Sequence, residues 1–213
     1  MNKWGEQKLN QIAELSKDSW KTGDAPAPYI GLEHIEEGTL RLKGIGDSKD
    51  ITSNKYRFKS NEFLFGKLRP YFRKVVRPRF DGVCSTDIWV VKNKKNIDVN
   101  FLFYLFASKE FVDLANSGSS GTKMPRADWG FMKETKWLIP ENINEQKAIA
   151  AVLSSLDDKI DLLQRQNVTL EAIAQTLFRQ WFVEEAEDDW EEKPLDEIAD
   201  YLNGLACQKY PPE

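Results

Sequence analysis

Between Asn144 and Glu185 the chain contains neither proline nor glycine, a run of 42 residues without the two strongest breakers of a helix. Within it, Leu156, Ile160, Leu163, Asn167, Leu170, Ala174, Leu177 and Trp181 follow one another at intervals of 4, 3, 4, 3, 4, 3 and 4 residues. That alternation is a heptad repeat, with Ile160, Asn167, Ala174 and Trp181 at the a positions and the leucines at d. A helix of this length spans about 60 Å, more than a domain of this size can bury along its whole length. The seam therefore predicts a helix that lies against another long helix. Asn167 at an a position costs stability but fixes the register, a device expected where pairing must be unique. The alternative is a helix that packs only across its own domain. Asn144 is placed to cap its start.

The residues before this helix read as a mixed α/β (α+β) globular domain. Short apolar runs bounded by Gly, Pro or Asn predict strands at Tyr29–Leu32, Phe63–Phe65, Ile88–Val91 and Trp137–Ile139. Phe101–Ala115 carries a helical period, with Phe101, Leu105, Val112 and Ala115 near one face and Asp98 or Asn100 as its cap. Gly118–Thr122 follows as a loop, and Pro140 closes the last strand. The expected organisation is a globular domain over 1–142, a long pairing helix over 143–185, and a linker with the start of a second repeat over 186–213.

The repeat rests on four anchors. Trp4, Leu9, Ile12 and Ala13 recur as Trp190, Leu195, Ile198 and Ala199, all at an offset of 186 residues. Matching order on either side of one long helix suggests the opening of a second copy of a domain-plus-helix unit. Two such copies, in one chain or in two, would pair their helices and hold two globular domains apart.

The net charge of −4 argues against a nucleic-acid partner only if charge is evenly spread, and it is not. Residues 55–80 hold nine cations (Lys55, Arg57, Lys59, Lys67, Arg69, Arg73, Lys74, Arg77, Arg79) against the single acid Glu62, whereas residues 184–200 hold ten acids against Lys193. Charges more than about 8–10 Å apart are screened at physiological salt, so the local basic field survives the acidic sum. No apolar run reaches the roughly 20 residues of a membrane span, and the N-terminus lacks the apolar stretch of a signal peptide. Cys84 and Cys207 are far apart and lack CxxC neighbours, which disfavours zinc or redox motifs. A cytoplasmic, membrane-free protein is expected.

Catalysis finds little to work with. His34 is the only histidine, its neighbourhood Gly31–Ile35 offers no metal-ligand spacing, and a strand-end or groove position suits it better than a role as base. Gly118–Lys123 lacks the spacing of a phosphate loop, and Gly44-Ile45-Gly46 is too short for a dinucleotide or methyl-donor site. Cations interleaved with aromatics remain. In Phe65–Val75, Lys67, Arg69, Tyr71, Arg73 and Lys74 alternate around a turn marked by Gly66 and Pro70, and Arg77 and Arg79 follow. In Gly121–Arg126, Lys123 and Arg126 flank small residues that permit close backbone approach. Phosphates need Lys and Arg, base edges need a bidentate fork, and Tyr serves either purpose. These nine side chains are the candidate DNA-binding set, the basic turn being expected to contribute mainly phosphate contacts; an ordinary charged outer face of a strand pair is the alternative.

Several segments together resemble the specificity subunit of type I restriction-modification enzymes. They are Tyr29–Ile35, Leu64–Tyr71, Asp81–Asp87, Gly121–Arg126, and Ile139-Pro140 followed by Glu145-Gln146 and Ile149-Ala150. The long helix, with Leu156-Asp157 and Leu177-Phe178 leading into Trp181-Phe182, is similar to the family's spacer. The resemblance implies a non-catalytic target-recognition domain that reads one half of a bipartite site in double-stranded DNA, joined to a spacer helix. It implies docking to methyltransferase subunits and to a restriction (motor) subunit, with S-adenosylmethionine, ATP and magnesium bound by those partners and no cofactor here. A usual member has two recognition domains, whereas this chain has one and the beginning of another. A homodimer paired through the long helix, reading an inverted repeat, is therefore expected. The recognition portion of a fused restriction-methylation enzyme and a coiled-coil scaffold with an incidental basic patch are the other readings.

Overall fold

The computed structural model describes residues 3–121, 123–186 and 190–200. In chain order the elements are β1 (Trp4–Lys8), α1 (Leu9–Ile12), β2 (Ala13–Ser16), β3 (Ser19–Trp20), β4 (Pro28–Ile30), β5 (Gly46–Asp47), β6 (Lys55–Phe58), β7 (Phe63–Gly66), β8 (Val75–Val76), β9 (Gly82–Cys84), β10 (Ile88–Asn93), α2 (Val99–Ala107), α3 (Lys109–Ser117), α4 (Trp129–Met132), β11 (Lys136–Pro140), α5 (Ile143–Arg179) and α6 (Leu195–Ile198). They divide into two compact units, Met1–Asp158 and Lys159–Glu213.

The first unit is mixed α/β, as its sequence predicts. Its sheets run β2-β10-β7-β8, β3-β6-β9-β4-β5 and β1-β11, and every pairing is antiparallel except β4 with β9. Side chains alternate across a strand, and β7 and β10 use both faces. Phe63, Phe65, Trp89 and Val91 enter one core with the helices, while Leu64, Ile88 and Val90 enter a second core with Ile30, Phe58 and Cys84. Burial on both sides explains why Phe63–Phe65 and Ile88–Val91 are continuous apolar runs rather than alternating ones. The larger core is aromatic: Phe106 stacks on Phe111 at 4.0 Å, Phe65 on Trp89 at 5.4 Å, and Phe63 meets Phe106 edge-on at 5.0 Å. Burial pushes the Cys84 thiol far above its usual range, and Cys207 lies outside the described residues.

Four local details differ from the sequence reading. The predicted helix Phe101–Ala115 is two helices, because Ser108 takes an extended ψ of 150° and caps a new start by accepting from the Phe111 N–H. Asp98, rather than Asn100, caps the first of them, accepting from the Asn100 and Phe101 N–H groups. The strand predicted at Tyr29–Leu32 stops at Ile30, and Leu32–His34 closes into a 3₁₀ turn. The cap of α5 is Asn142, whose carboxamide oxygen accepts from the Asn144 N–H at 2.9 Å.

The first turns of α5 belong to the first unit and are fastened to it through polar groups. The buried Gln146 accepts from the Asp98 N–H at 2.8 Å and donates to the Pro140 carbonyl at 2.9 Å, joining helix start, strand end and α2 cap. Ala150 is buried and Ile149 packs on the aromatic core. The Tyr104 hydroxyl donates to Asp157 at 2.7 Å, and burial together with that carboxylate pushes the phenol up to about 12.

The second unit continues α5 from Lys159, widens into a single π turn at Gln180–Glu184, and includes α6. The two ends of the proposed repeat adopt the same local form. Leu9–Ile12 and Leu195–Ile198 are both four-residue helices, and the alanine after each is extended (φ −135°, ψ 156° at Ala13; φ −149°, ψ 135° at Ala199). They differ in burial: Leu9 and Ile12 are fully buried, whereas Leu195 and Ile198 are 63% and 66% exposed.

Candidate nucleic-acid interface

The two basic clusters, some fifty residues apart in sequence, meet through their backbones. Leu68 and Arg126 form an antiparallel bridge, the Arg69 N–H donates to the Pro125 carbonyl at 2.7 Å, and the Ala127 N–H donates to the Lys67 carbonyl at 2.9 Å. The second loop closes on itself, Ser120 and Arg126 exchanging N–H to carbonyl bonds of 3.1 and 3.0 Å. Gly121 at φ +91° supplies the left-handed step that this closure requires; Thr122 lies outside the described residues.

The first cluster is a one-turn 3₁₀ helix, Pro70–Phe72, bounded on both sides by arginines in the left-handed region: Arg69 at φ 51° and Arg73 at φ 48°. Pro70 is buried and pre-sets the turn, and Gly66 lets it sit close, since a Cβ there would lie 2.8 Å from Leu32 and 3.1 Å from Lys74. Non-glycine residues in this region cost on the order of 1–3 kcal/mol each and cluster at functional sites. Tyr71 projects from the turn, 50% exposed, with its ring 4.7 Å from that of Phe72.

The eight candidate cations and Tyr71 do not form one uniform patch. Lys74 is drawn inward, donating to the Leu32 carbonyl at 2.8 Å with Glu37 at 3.7 Å. Arg126 is held by Asp87 at 3.1 Å. Arg79 pairs with Asp158 at 3.6 Å. Arg77 is half-buried near Asp98 and Tyr104, and burial with the neighbouring Arg79 charge pulls it below the usual guanidinium range. These last two therefore engage α2 and the first turns of α5. By contrast Lys67, Arg69, Arg73 and Lys123 have no carboxylate partner among the described residues. Arg69 and Arg73 each also bury an Nε that meets no acceptor. Asp87, which orients Arg126 and whose carbonyl accepts from the Lys67 N–H at 3.0 Å, escaped the sequence reading as a site residue. It closes Asp81–Asp87, one of the segments that carry the family resemblance.

The remaining chemistry is structural. His34 is half-buried, its Nδ1 accepts from the Gly31 N–H at 2.9 Å, and its ring meets Tyr29 edge-on at 5.6 Å. Among the described residues no group of His, Cys, Asp or Glu is arranged to hold a metal, and no helix is long and apolar enough to cross a membrane.

Along α5 the heptad residues are bare. Leu156 is 59% exposed, Ile160 43%, Leu163 47%, Leu170 61% and Leu177 37%, and Trp181 in the π turn is 53% exposed; Asn167 and Ala174 are exposed with them. Phe178 stacks on Phe182 at 5.0 Å, and Phe182 lies 5.8 Å from Trp190.

Residues 1–172 match the family model described as the type I restriction modification DNA specificity domain. The chain is 32% identical over 193 residues to the HindI specificity subunit of Haemophilus influenzae, covering 86% of this chain and 42% of that one. It is 28% identical over 168 residues to the EcoDI specificity subunit of Escherichia coli, covering 78% and 37%. Among solved structures, the HsdS subunit from Thermoanaerobacter tengcongensis superposes with a TM-score of 0.60 at 18% identity over 90% of this chain and 52% of that one, a likeness of fold. A chain from a structure of type I R-M complex assembly gives 0.63 with the same identity and coverage. The chain thus spans less than half of each of the two specificity subunits and about half of each structure.

Proposed function

The chain belongs to the family of type I restriction-modification DNA specificity domains, and from that premise we propose that it reads one half of a bipartite site in double-stranded DNA. The observation that carries this reading is the backbone ladder joining Lys67–Arg69 to Pro125–Ala127, which gathers cations lacking carboxylate partners around one strained turn. Unpartnered guanidinium and ammonium groups on a held backbone suit a polyanion, because the ligand rather than the protein supplies the acceptors. Lys67, Arg69, Tyr71, Arg73 and Lys123 form the contacting set; Arg126 and Lys74 brace it.

The domain over 1–142 supplies recognition, the helix over 143–185 supplies spacing, and 186–213 opens a second repeat. Two copies pair through Ile160–Trp181, which accounts for a row of apolar side chains that nothing among the described residues of their own unit covers. A two-fold pair of readers takes an inverted repeat. Methyltransferase subunits dock on the paired helices and a restriction subunit joins them in the cytoplasm. The methyl-transfer and nucleotide chemistry belongs to those partners.

Co-expression with the neighbouring methyltransferase subunit, followed by mapping of methylated adenines, tests the whole reading. A single inverted-repeat motif that disappears without this chain is the expected result. A stable complex without methylation would reduce the chain to a docking element, and the absence of any complex would leave a scaffold.

A further inference from the structure

The cations around the strained turn divide into two kinds. Lys67 and Lys123 carry compact, freely rotating charges on long stems. Arg69 and Arg73 are half-buried: each starts from a left-handed backbone position, and each has its Nε buried without an acceptor. A buried Nε closes the side-on fork of a guanidinium, the one that uses Nε with a terminal nitrogen. Only the end-on fork of the two terminal nitrogens remains, and among the described residues neither arginine spends it on a carboxylate. That end-on fork is the donor pair that matches O6 and N7 of guanine in the major groove. Pre-organisation also lowers the entropy lost for each bond formed, which favours discrimination over general attraction.

We infer that Arg69 and Arg73 are specificity-determining residues that read guanine in the half-site, while Lys67 and Lys123 hold phosphates on either side. The assignment rests on the DNA-reading function proposed above and goes beyond it, since it separates base readers within a turn otherwise expected to contact mainly phosphate. It requires guanines in each half-site close enough to be reached from the two ends of a single 3₁₀ turn.

The test uses the full chain co-purified with its methyltransferase subunits and a pool of random-sequence duplexes, selected by binding and sequenced. Arg69→Lys and Arg73→Lys keep the charge and the backbone requirement but lose the fork. Each is expected to reduce the preference for guanine at one position by about 5- to 150-fold while leaving the salt slope unchanged. Replacing guanine by 7-deazaguanine, which lacks the N7 acceptor, is expected to weaken wild-type binding at those positions and to have no further effect on the lysine variants. Lys67→Ala and Lys123→Ala are expected to weaken all sequences alike and to flatten the log–log salt slope by about 0.9 each. Retention of the wild-type guanine preference by either arginine variant, or indifference of the wild type to 7-deazaguanine, overturns the inference while leaving DNA binding intact. Absence of any salt-dependent duplex binding by the wild-type complex overturns the underlying DNA reading as well.

Discussion

The core of the first unit and the exposed run of α5 from Ile160 contain similar side chains in opposite conditions. Phe63, Phe65, Phe106 and Phe111 are at most 1% exposed and touch one another, whereas Leu163, Leu170, Phe178 and Trp181 are between 47% and 62% exposed. Both regions are apolar at regular intervals, so periodicity alone does not decide burial. The difference lies in chain reversal. The domain folds back through short antiparallel connections and covers its apolar faces with its own strands and helices. Among the described residues no second element covers the seam of α5 from Ile160, so its apolar side chains do not gain the roughly 25 cal/mol per Å² that burial supplies.

The largest effect that would break this contrast is in the core. Phe106→Ala removes a ring stacked at 4.0 Å on Phe111 and is expected to cost about 3–5 kcal/mol in chemical denaturation of the first unit. A cost below about 1 kcal/mol would mean that the aromatic core is not what holds the unit. Next comes the seam, where the two measurements must separate. Leu163→Ala is expected to remove about 2–5 kcal/mol of association free energy in sedimentation equilibrium and to shift the domain's own stability by no more than about 0.5 kcal/mol. Loss in the domain instead would place the seam against its own fold.

A smaller effect sharpens the border between the regions. Gln146→Leu keeps the volume but strands the Asp98 N–H and the Pro140 carbonyl, for an expected loss of about 1–3 kcal/mol with the association of the helix unchanged. The smallest effect is one of pH. The folded state raises the Tyr104 phenol from its ordinary 10.0 to about 12, first through burial and then through the Asp157 carboxylate. Its contribution is therefore complete below pH 10 and lost as pH rises towards 12. Denaturation midpoints of wild type and Tyr104→Phe across that window should converge at the alkaline end; parallel curves would show that the phenol is not coupled to folding.

The sequence reading reached the long helix and the central strands for one reason. Leu156 through Trp181 and Ile88–Val91 carry their pattern locally, with no contribution from distant residues. The break at Ser108 was not legible because the apolar period crosses it: Leu105 and Val112 keep their phase, and only the serine side chain capping Phe111 interrupts the helix. Strands such as Ser19–Trp20, Gly46–Asp47 and Val75–Val76 are two residues long and exist only through their pairing partners. The site was half legible. Both basic clusters stand out as residue types, but that Arg77 and Arg79 also lie beside charged groups of α2 and α5 is not visible in the sequence. The meeting of Leu68 with Arg126 depends on a loop closure between residues far apart along the chain, which no window of sequence contains.

That bridge joins main chain to main chain. Every residue carries a carbonyl and every residue except proline an N–H, so the main-chain bonds around Arg69 and Arg126 do not depend on most of the side chains hung on them. On the proposed reading, exchange of the side chains at Arg69 and Arg73 would alter what is recognised without breaking the main-chain bonds that present them. If the chain reads DNA as proposed, a change of target in this region needs only side-chain substitutions on a frame held by main-chain bonds.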